Sequence, residues 1–220
     1  MTDISPFVIS ISDEQITDLK NRIANTRWPD AETTSGWNQG VPLAYVKELV
    51  QYWGEQYDQQ RLANRLNTFD NFKTNLLGLN IHFMHIKSSN PNARPLLLTH
   101  GWPGSVVEFL KVIGPLTEPQ DHGGTADDAF HLVIPSLPGY GFSDKPQATG
   151  WGVEKIADAW STLMARLGYS QYFAQRHIEK RLQWFYFRLE WEVSDRSISW
   201  RDTEATFRFS GMSLEGESKR

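Results

Sequence analysis

The feature that most constrains this chain is a short apolar run that stops on a loop rich in glycine and proline. The run is Pro95-Leu96-Leu97-Leu98-Thr99 and the loop is His100-Gly101-Trp102-Pro103-Gly104-Ser105. A brief, uninterrupted apolar stretch bounded by turn formers suits a strand buried on both faces, the kind found in parallel sheets. Phe130 to Pro135, followed by the turn-rich segment Leu137 to Ser143, repeats the pattern, and Tyr172-Phe173-Ala174 opens a third strand. Helical patterns separate them. Ser105 to Ile113 reads as one helix, and Val153 to Leu167 as another, with Ile156, Trp160, Leu163 and Leu167 on one face and Gly168 as the stop. Strand, loop, helix, strand is the rhythm of a parallel α/β sheet. Such sheets bind ligands beyond the carboxyl ends of their strands, where the loops Thr99–Ser105 and Pro135–Ser143 both fall.

Upstream the periodicity is different. Ser12 with Gln15 makes a capping-box pattern, and Ile16, Leu19 and Ile23 recur at helical spacing until Arg27-Trp28-Pro29 ends the helix. Pro42 opens a second helix with Tyr45, Leu49, Tyr52 and Trp53 as its apolar stripe, and Arg61 to Leu66 adds a turn or two. Phe69 to Leu77 and Leu79 to Ile86 read as two strands around a turn at Gly78. Pro6 to Ile11 reads as extended.

Composition narrows the chemistry. The 220 residues hold 22 Lys+Arg against 26 Asp+Glu, a net charge of -4, which argues against binding nucleic acid through a basic surface. With no cysteine, disulfide scaffolds, thiol nucleophiles and cysteine-ligated metals are excluded. The N-terminus lacks a basic region followed by a long apolar run, and no stretch of about 18 apolar residues occurs, so neither a signal peptide nor a membrane span is expected. A cytoplasmic location is the expectation, peripheral membrane association being compatible with it.

The hexapeptide from His100 to Ser105 carries the functional signal. Gly101 lets the backbone turn directly after a buried strand, and Pro103 fixes its own φ and removes a donor. A loop built this way can leave the Trp102 N–H unpaired, the fixed donor that an oxyanion hole needs. His100 is read as structural, hydrogen-bonding the loop.

Together with its surroundings this motif resembles the microsomal and juvenile-hormone type epoxide hydrolases. The similar stretches, in order, are FVISISDEQITDLKNRI, TRWPD, GWNQGVPLAYVKELVQYW, LNIHFMHIKS, LLLTHGWPGSVVEF and IPSLPGYGFSDKP. The resemblance runs from Pro6 to Ala174. It implies an incomplete α/β-hydrolase fold, α/β in class, preceded by a helical amino-terminal arm from about Ile4 to Asn67 that would pack around the core and lid. It implies three parts: an epoxide hydrolase amino-terminal domain over 4–112, a continuation of the core over 113–174, and a divergent tail over 175–220, disordered or out of frame. The implied reaction adds water to a small apolar epoxide to give a vicinal diol. An aspartate attacks to form an ester, a histidine-activated water hydrolyses it, and lid tyrosines protonate the epoxide oxygen. The Trp102 N–H would be one of two oxyanion donors, within the loop motif His100, Gly101, Pro103 and Gly104. No metal or organic cofactor is implied.

After Ala174 the family pattern calls for a glycine-rich elbow, G-G-D-W-G, around the nucleophile. This chain reads Gln175-Arg176-His177-Ile178-Glu179, with no glycine between Gly168 and Gly211 and no G-x-S-x-G anywhere. All eleven prolines lie between Pro6 and Pro146. The stretch from Arg176 to Arg220 is therefore expected to have left the natural frame near Gln175, a genuine divergent tail being the alternative. Little or no turnover is expected without nucleophile, lid tyrosines and relay histidine. An interaction fragment that self-associates or aggregates through an open sheet edge, and ester or haloalkane hydrolysis, stay as alternatives.

Other candidates carry less. His82 and His85 fall on opposite faces of a strand, against a metal pair. Gly139-Tyr140-Gly141 lacks the third glycine of a dinucleotide site. Asp144 is a loop carboxylate, and His177 is out of place for the relay. Trp28, Trp37, Trp53, Trp151 and Trp160 are read as packing residues.

Overall fold

A computed structural model describes the backbone of residues 4–178 and 181–188, with side chains described through residue 175. It divides into two compact units, one of residues 8–69 and the other of residues up to Phe7 together with those from Asp70 onward.

The smaller unit is helical. Helix α1 (Asp13–Ala24) starts on the Ser12 capping box: the Ser12 hydroxyl accepts the Gln15 N–H at 3.2 Å and the Gln15 side chain accepts the Ser12 N–H at 2.9 Å. Helix α2 (Leu43–Glu55) follows Pro42, and α3 (Arg61–Leu66) buries Ala63 and Leu66. The α1–α2 approach is made at Gly54, where an added Cβ would stand 3.1 Å from Ile23. The apolar stripe of α2, Tyr45, Leu49, Tyr52 and Trp53, is half-exposed. Trp37, read as packing, is 60% exposed, its ring centroid 5.3 Å from that of Tyr45. Periodicity marks an apolar face but does not say what covers it.

The larger unit is built on a mixed sheet. Its strands are β1 (Ile4–Pro6), β2 (Asn71–Leu76), β3 (Leu79–Ile86), β4 (Arg94–Thr99), β5 (Phe130–Pro135), β6 (Gln171–Ile178) and β7 (Arg181–Arg188). Their spatial order is β1-β2-β3-β5-β4-β6-β7. Only β5-β4-β6 run parallel; β1, β2, β3 and β7 add antiparallel pairs on either side. The three strands whose rhythm reads as parallel are the parallel ones, and they form the centre of the sheet. A two-residue link such as Leu77-Gly78 can join only antiparallel strands, and here both loop residues have positive φ, 49° and 91°, as the tight hairpin turn requires.

β3 and β5 are buried on both faces, as central strands should be. Helix α5 (Val153–Arg166) packs Ala159, Trp160, Leu163 and Met164 onto the sheet against Leu76, Ile81, Phe83, Leu97, Val133, Tyr172 and Ala174. The expected helix over Ser105–Ile113 is shorter and tighter. A 3-10 turn spans Val106–Phe109, and α4 (Ile113–Thr117) follows as a separate piece. Adjacent β-branched Val106 and Val107 give weak helical propensity, and the Ser105–Glu108 capping box is met within one tight turn.

The tail expected from residue 175 begins inside β6. That strand continues straight through Gln175-Arg176-His177-Ile178, and β7 pairs back along it in antiparallel register. Residues 189–220, where most of the expected tail falls, lie outside the described residues.

Candidate functional site

Parallel β4, β5 and β6 bring three segments to one end of the sheet: the loop after Thr99, the loop after Pro135, and the chain after Ala174. Register fixes this, with Leu97 beside both Val133 and Ala174, and Thr99 beside Arg176. The sequence-predicted residues His100, Gly101, Trp102, Pro103 and Gly104 are all in the first of these loops.

His100 is 2% exposed and ties two loops together. Its Nε2 accepts the Leu137 N–H at 3.1 Å, so the ring proton resides on Nδ1, which donates to the Gly101 carbonyl at 3.2 Å. The Tyr140 ring stands edge-on to it, centroids 5.9 Å apart. Burial lowers the His100 pKa, while the Gly101 hydrogen bond and the Glu108 carboxylate oppose that shift. At neutral pH the ring is an uncharged strut.

The same Gly101 carbonyl accepts the Gly104 N–H at 2.7 Å, closing a tight turn across Trp102-Pro103, whose peptide bond is cis. Among the described residues the Trp102 N–H meets no hydrogen-bond acceptor, and its side chain is 70% exposed. A Cβ at Gly104 would overlap the Glu108 carboxylate, which accepts the Ser105 N–H at 3.1 Å, so a larger residue there would displace that cap.

The second loop is clamped to β3. The His82 N–H donates to Ser143 Oγ at 3.0 Å, and that hydroxyl donates to the Ser136 carbonyl at 2.8 Å. The Ser136 N–H donates to the His82 carbonyl at 2.9 Å. Asp144 is a loop carboxylate whose Oδ2 accepts from the Asn80 amide nitrogen at 2.8 Å and from the Asn80 N–H at 3.2 Å. Gly141 has φ 52° and passes so close that a Cβ would lie 2.8 Å from Ser136 Oγ. This is the backbone use of the Gly139-Tyr140-Gly141 pattern.

Sequence reading missed the partners of His82. The ring is fully buried, with Nδ1 2.9 Å from Ser136 Oγ and Nε2 3.0 Å from Asn71 Oδ1. Phe7 and Phe142 stand edge-on to it. His85, three residues on, contacts Tyr169 instead, Nε2 to hydroxyl at 2.8 Å. Among the described residues no cluster of three or more His, Asp or Glu could hold a metal ion, and no helix is long and apolar enough to cross a membrane.

At the third segment the strand is straight where an elbow would bend. Gln175 is 4% exposed beside Leu98, and its Oε1 has no hydrogen-bond partner among the described residues. The site thus offers a fixed, unpaired backbone donor beside a strand end that carries no glycine-rich turn.

Comparison with known proteins bears on what such a half-site belongs to. A family model described as epoxide hydrolase N terminus matches residues 4–109, and one described as alpha/beta hydrolase fold matches residues 94–175. A Stigmatella aurantiaca protein provisionally named an epoxide hydrolase is 56% identical over 172 residues, 78% of this chain and 39% of the relative. Epoxide hydrolase 1 of Sus scrofa is 38% identical over 176 residues, again 78% of this chain and 39% of the relative. The crystal structure of juvenile hormone epoxide hydrolase from Bombyx mori superposes with a TM-score of 0.71 at 40% identity, covering 80% of this chain and 42% of that one. The chain therefore spans about two fifths of the length of the relatives it matches.

Proposed function

Because the chain belongs, over residues 4–175, to the epoxide hydrolases of the α/β-hydrolase fold, we propose that it carries the oxyanion half of an epoxide-opening site. The substrate class is a small apolar epoxide and the product a vicinal diol. In this reaction an aspartate attacks an epoxide carbon, the C–O bond breaks, and the alkoxide takes a proton. Water then attacks the resulting ester, and charge collects on its carbonyl oxygen. The Trp102 N–H is the donor that meets that charge. The observation that carries this reading is the unpaired Trp102 N–H, held on a peptide whose carbonyl is already engaged by His100 and Gly104. A donor fixed before reaction needs no reorganisation as charge develops.

The division into 4–112, 113–174 and 175–220 belongs to the same reading: the first two parts carry the hydrolase-like half-site and the third replaces the elbow. His100, Gly101, Pro103 and Gly104 hold the donor and take no proton from substrate. A cytoplasmic location accords with the absence of cysteine. Self-association through the outer edge of β7 also belongs to the proposal.

Among the described residues no carboxylate stands on an elbow after Ala174, so the isolated chain is expected not to turn over epoxide. Incubation of the purified chain with styrene oxide, followed by diol quantitation, tests this. The expected rate is the uncatalysed one. Diol formation abolished by a single substitution after Ala174 would place a nucleophile there and overturn the reading.

A further inference from the structure

A peptide unit is planar, so the Gly101 carbonyl and the Trp102 N–H point in opposite directions and fixing one aims the other. The carbonyl is held by the His100 Nδ1–H, and His100 presents that proton only while its Nε2 accepts from Leu137. The orientation of the donor therefore depends on where Leu137 sits. Leu137 follows Ser136, and Ser136 is gripped by His82 on three sides: through its N–H, through its hydroxyl, and through the Ser143 bridge to its carbonyl.

His82 in turn has one arrangement that satisfies every partner. Asn71 Oδ1 can only accept, so His82 Nε2 carries the proton, and the bare Nδ1 accepts the Ser136 hydroxyl proton. Ser136 and His82 are fully buried and Asn71 is 5% exposed, so water does not stand in for a missing partner. A buried polar chain with every member satisfied specifies one arrangement, and a broken one leaves an orphan.

We propose that Asn71 and His82 are positioning residues for the oxyanion donor. Asn71 sets the ring proton of His82, His82 fixes Ser136, and Leu137 and His100 pass that placement to the Gly101–Trp102 peptide. The inference rests on the assignment of the Trp102 N–H as oxyanion donor. It adds a chain of control that starts on β2, separated by β3 and β5 from the strand whose loop bears the donor.

Nuclear magnetic resonance on the ¹⁵N-labelled 220-residue chain tests it without needing turnover. The expected wild-type pattern is a single Nδ1–H form of His100 and a single Nε2–H form of His82. Asn71→Leu removes the acceptor. It should collapse the separation of the two His100 ring-nitrogen signals, shift the Trp102 amide, and speed Leu137 amide exchange by about tenfold or more, with the α5 amides unmoved. Asn71→Asp, which restores an acceptor oxygen, should return the Leu137 exchange rate and the His100 pattern toward wild type. If Asn71→Leu does not fold, Ser136→Ala removes only the hydroxyl and is read in the same way. A folded variant with lowered stability but unchanged His100 and Trp102 signals would overturn the proposal and leave His82 a core-packing residue. That failure is separate from failure of the oxyanion reading, which would appear as loss of hydrolysis in an otherwise complete site.

Discussion

His82 is held neutral inside the sheet. Burial, reinforced by the Lys73 ammonium, pushes its pKa down to about 4. The unfolded chain protonates this ring near its ordinary value of about 6.5, the folded one only near 4, so between those values the unfolded state binds more protons. Stability from this residue is complete above about pH 6.5 and is lost as pH falls toward 4, by on the order of 3 kcal/mol. His85 acts in the same direction: burial, then Lys87 and His131, hold it down to about 4 against the opposing pull of Asp70. Urea unfolding at pH 7.5 and pH 4.5 checks this, with His82→Gln as the comparison. The wild type should lose more stability on acidification than the variant, and equal losses would contradict the account. At this scale the sequence showed which residue types sit in the loop proposed to hold the oxyanion donor, because His100 to Ser105 are contiguous. The partners of His82 were not legible. Asn71, Ser136 and Ser143 lie 11, 54 and 61 residues away, and only sheet register brings them to one ring.

At the scale of elements, the two edges of the sheet differ. β1 has three residues and ends on Pro6, so it offers a partner strand little to pair with. β7 has eight residues, Arg-Leu-Gln-Trp-Phe-Tyr-Phe-Arg, without proline, and among the described residues it pairs with β6 alone. A long, proline-free edge favours pairing with another chain. Sedimentation velocity should show a mean mass above that of a monomer, rising with concentration; a concentration-independent monomer would contradict this. Element type followed from local pattern where the pattern is strong. The Ser12–Gln15 box, the Gly78 turn and the apolar runs of β4 and β5 are each set by near neighbours in the chain. The antiparallel pairing of β3 with β5 and the split of Val106 to Thr117 into two short pieces depend on what those segments pack against, and no local spacing encodes that. The straight course of β6 past Ala174 agrees with the absence of glycine there, since nothing in Gln175-Arg176-His177 favours a sharp strand-to-helix bend.

For the whole molecule, residues 1–175 are proposed to hold a competent oxyanion half that lacks only what normally follows it. The matched span ends at residue 175, where β6 passes the end of β4 and the loop that follows it. The most direct measurement is epoxide hydrolysis by a chimera. Residues 1–175 of this chain would be joined to the remainder of the Stigmatella aurantiaca relative, which is 56% identical over the shared part. The 220-residue chain and the relative itself would be assayed beside it. The chimera should form diol within about tenfold of the relative's rate, and the 220-residue chain none above background. A folded chimera that leaves the epoxide untouched while the relative opens it would contradict the claim.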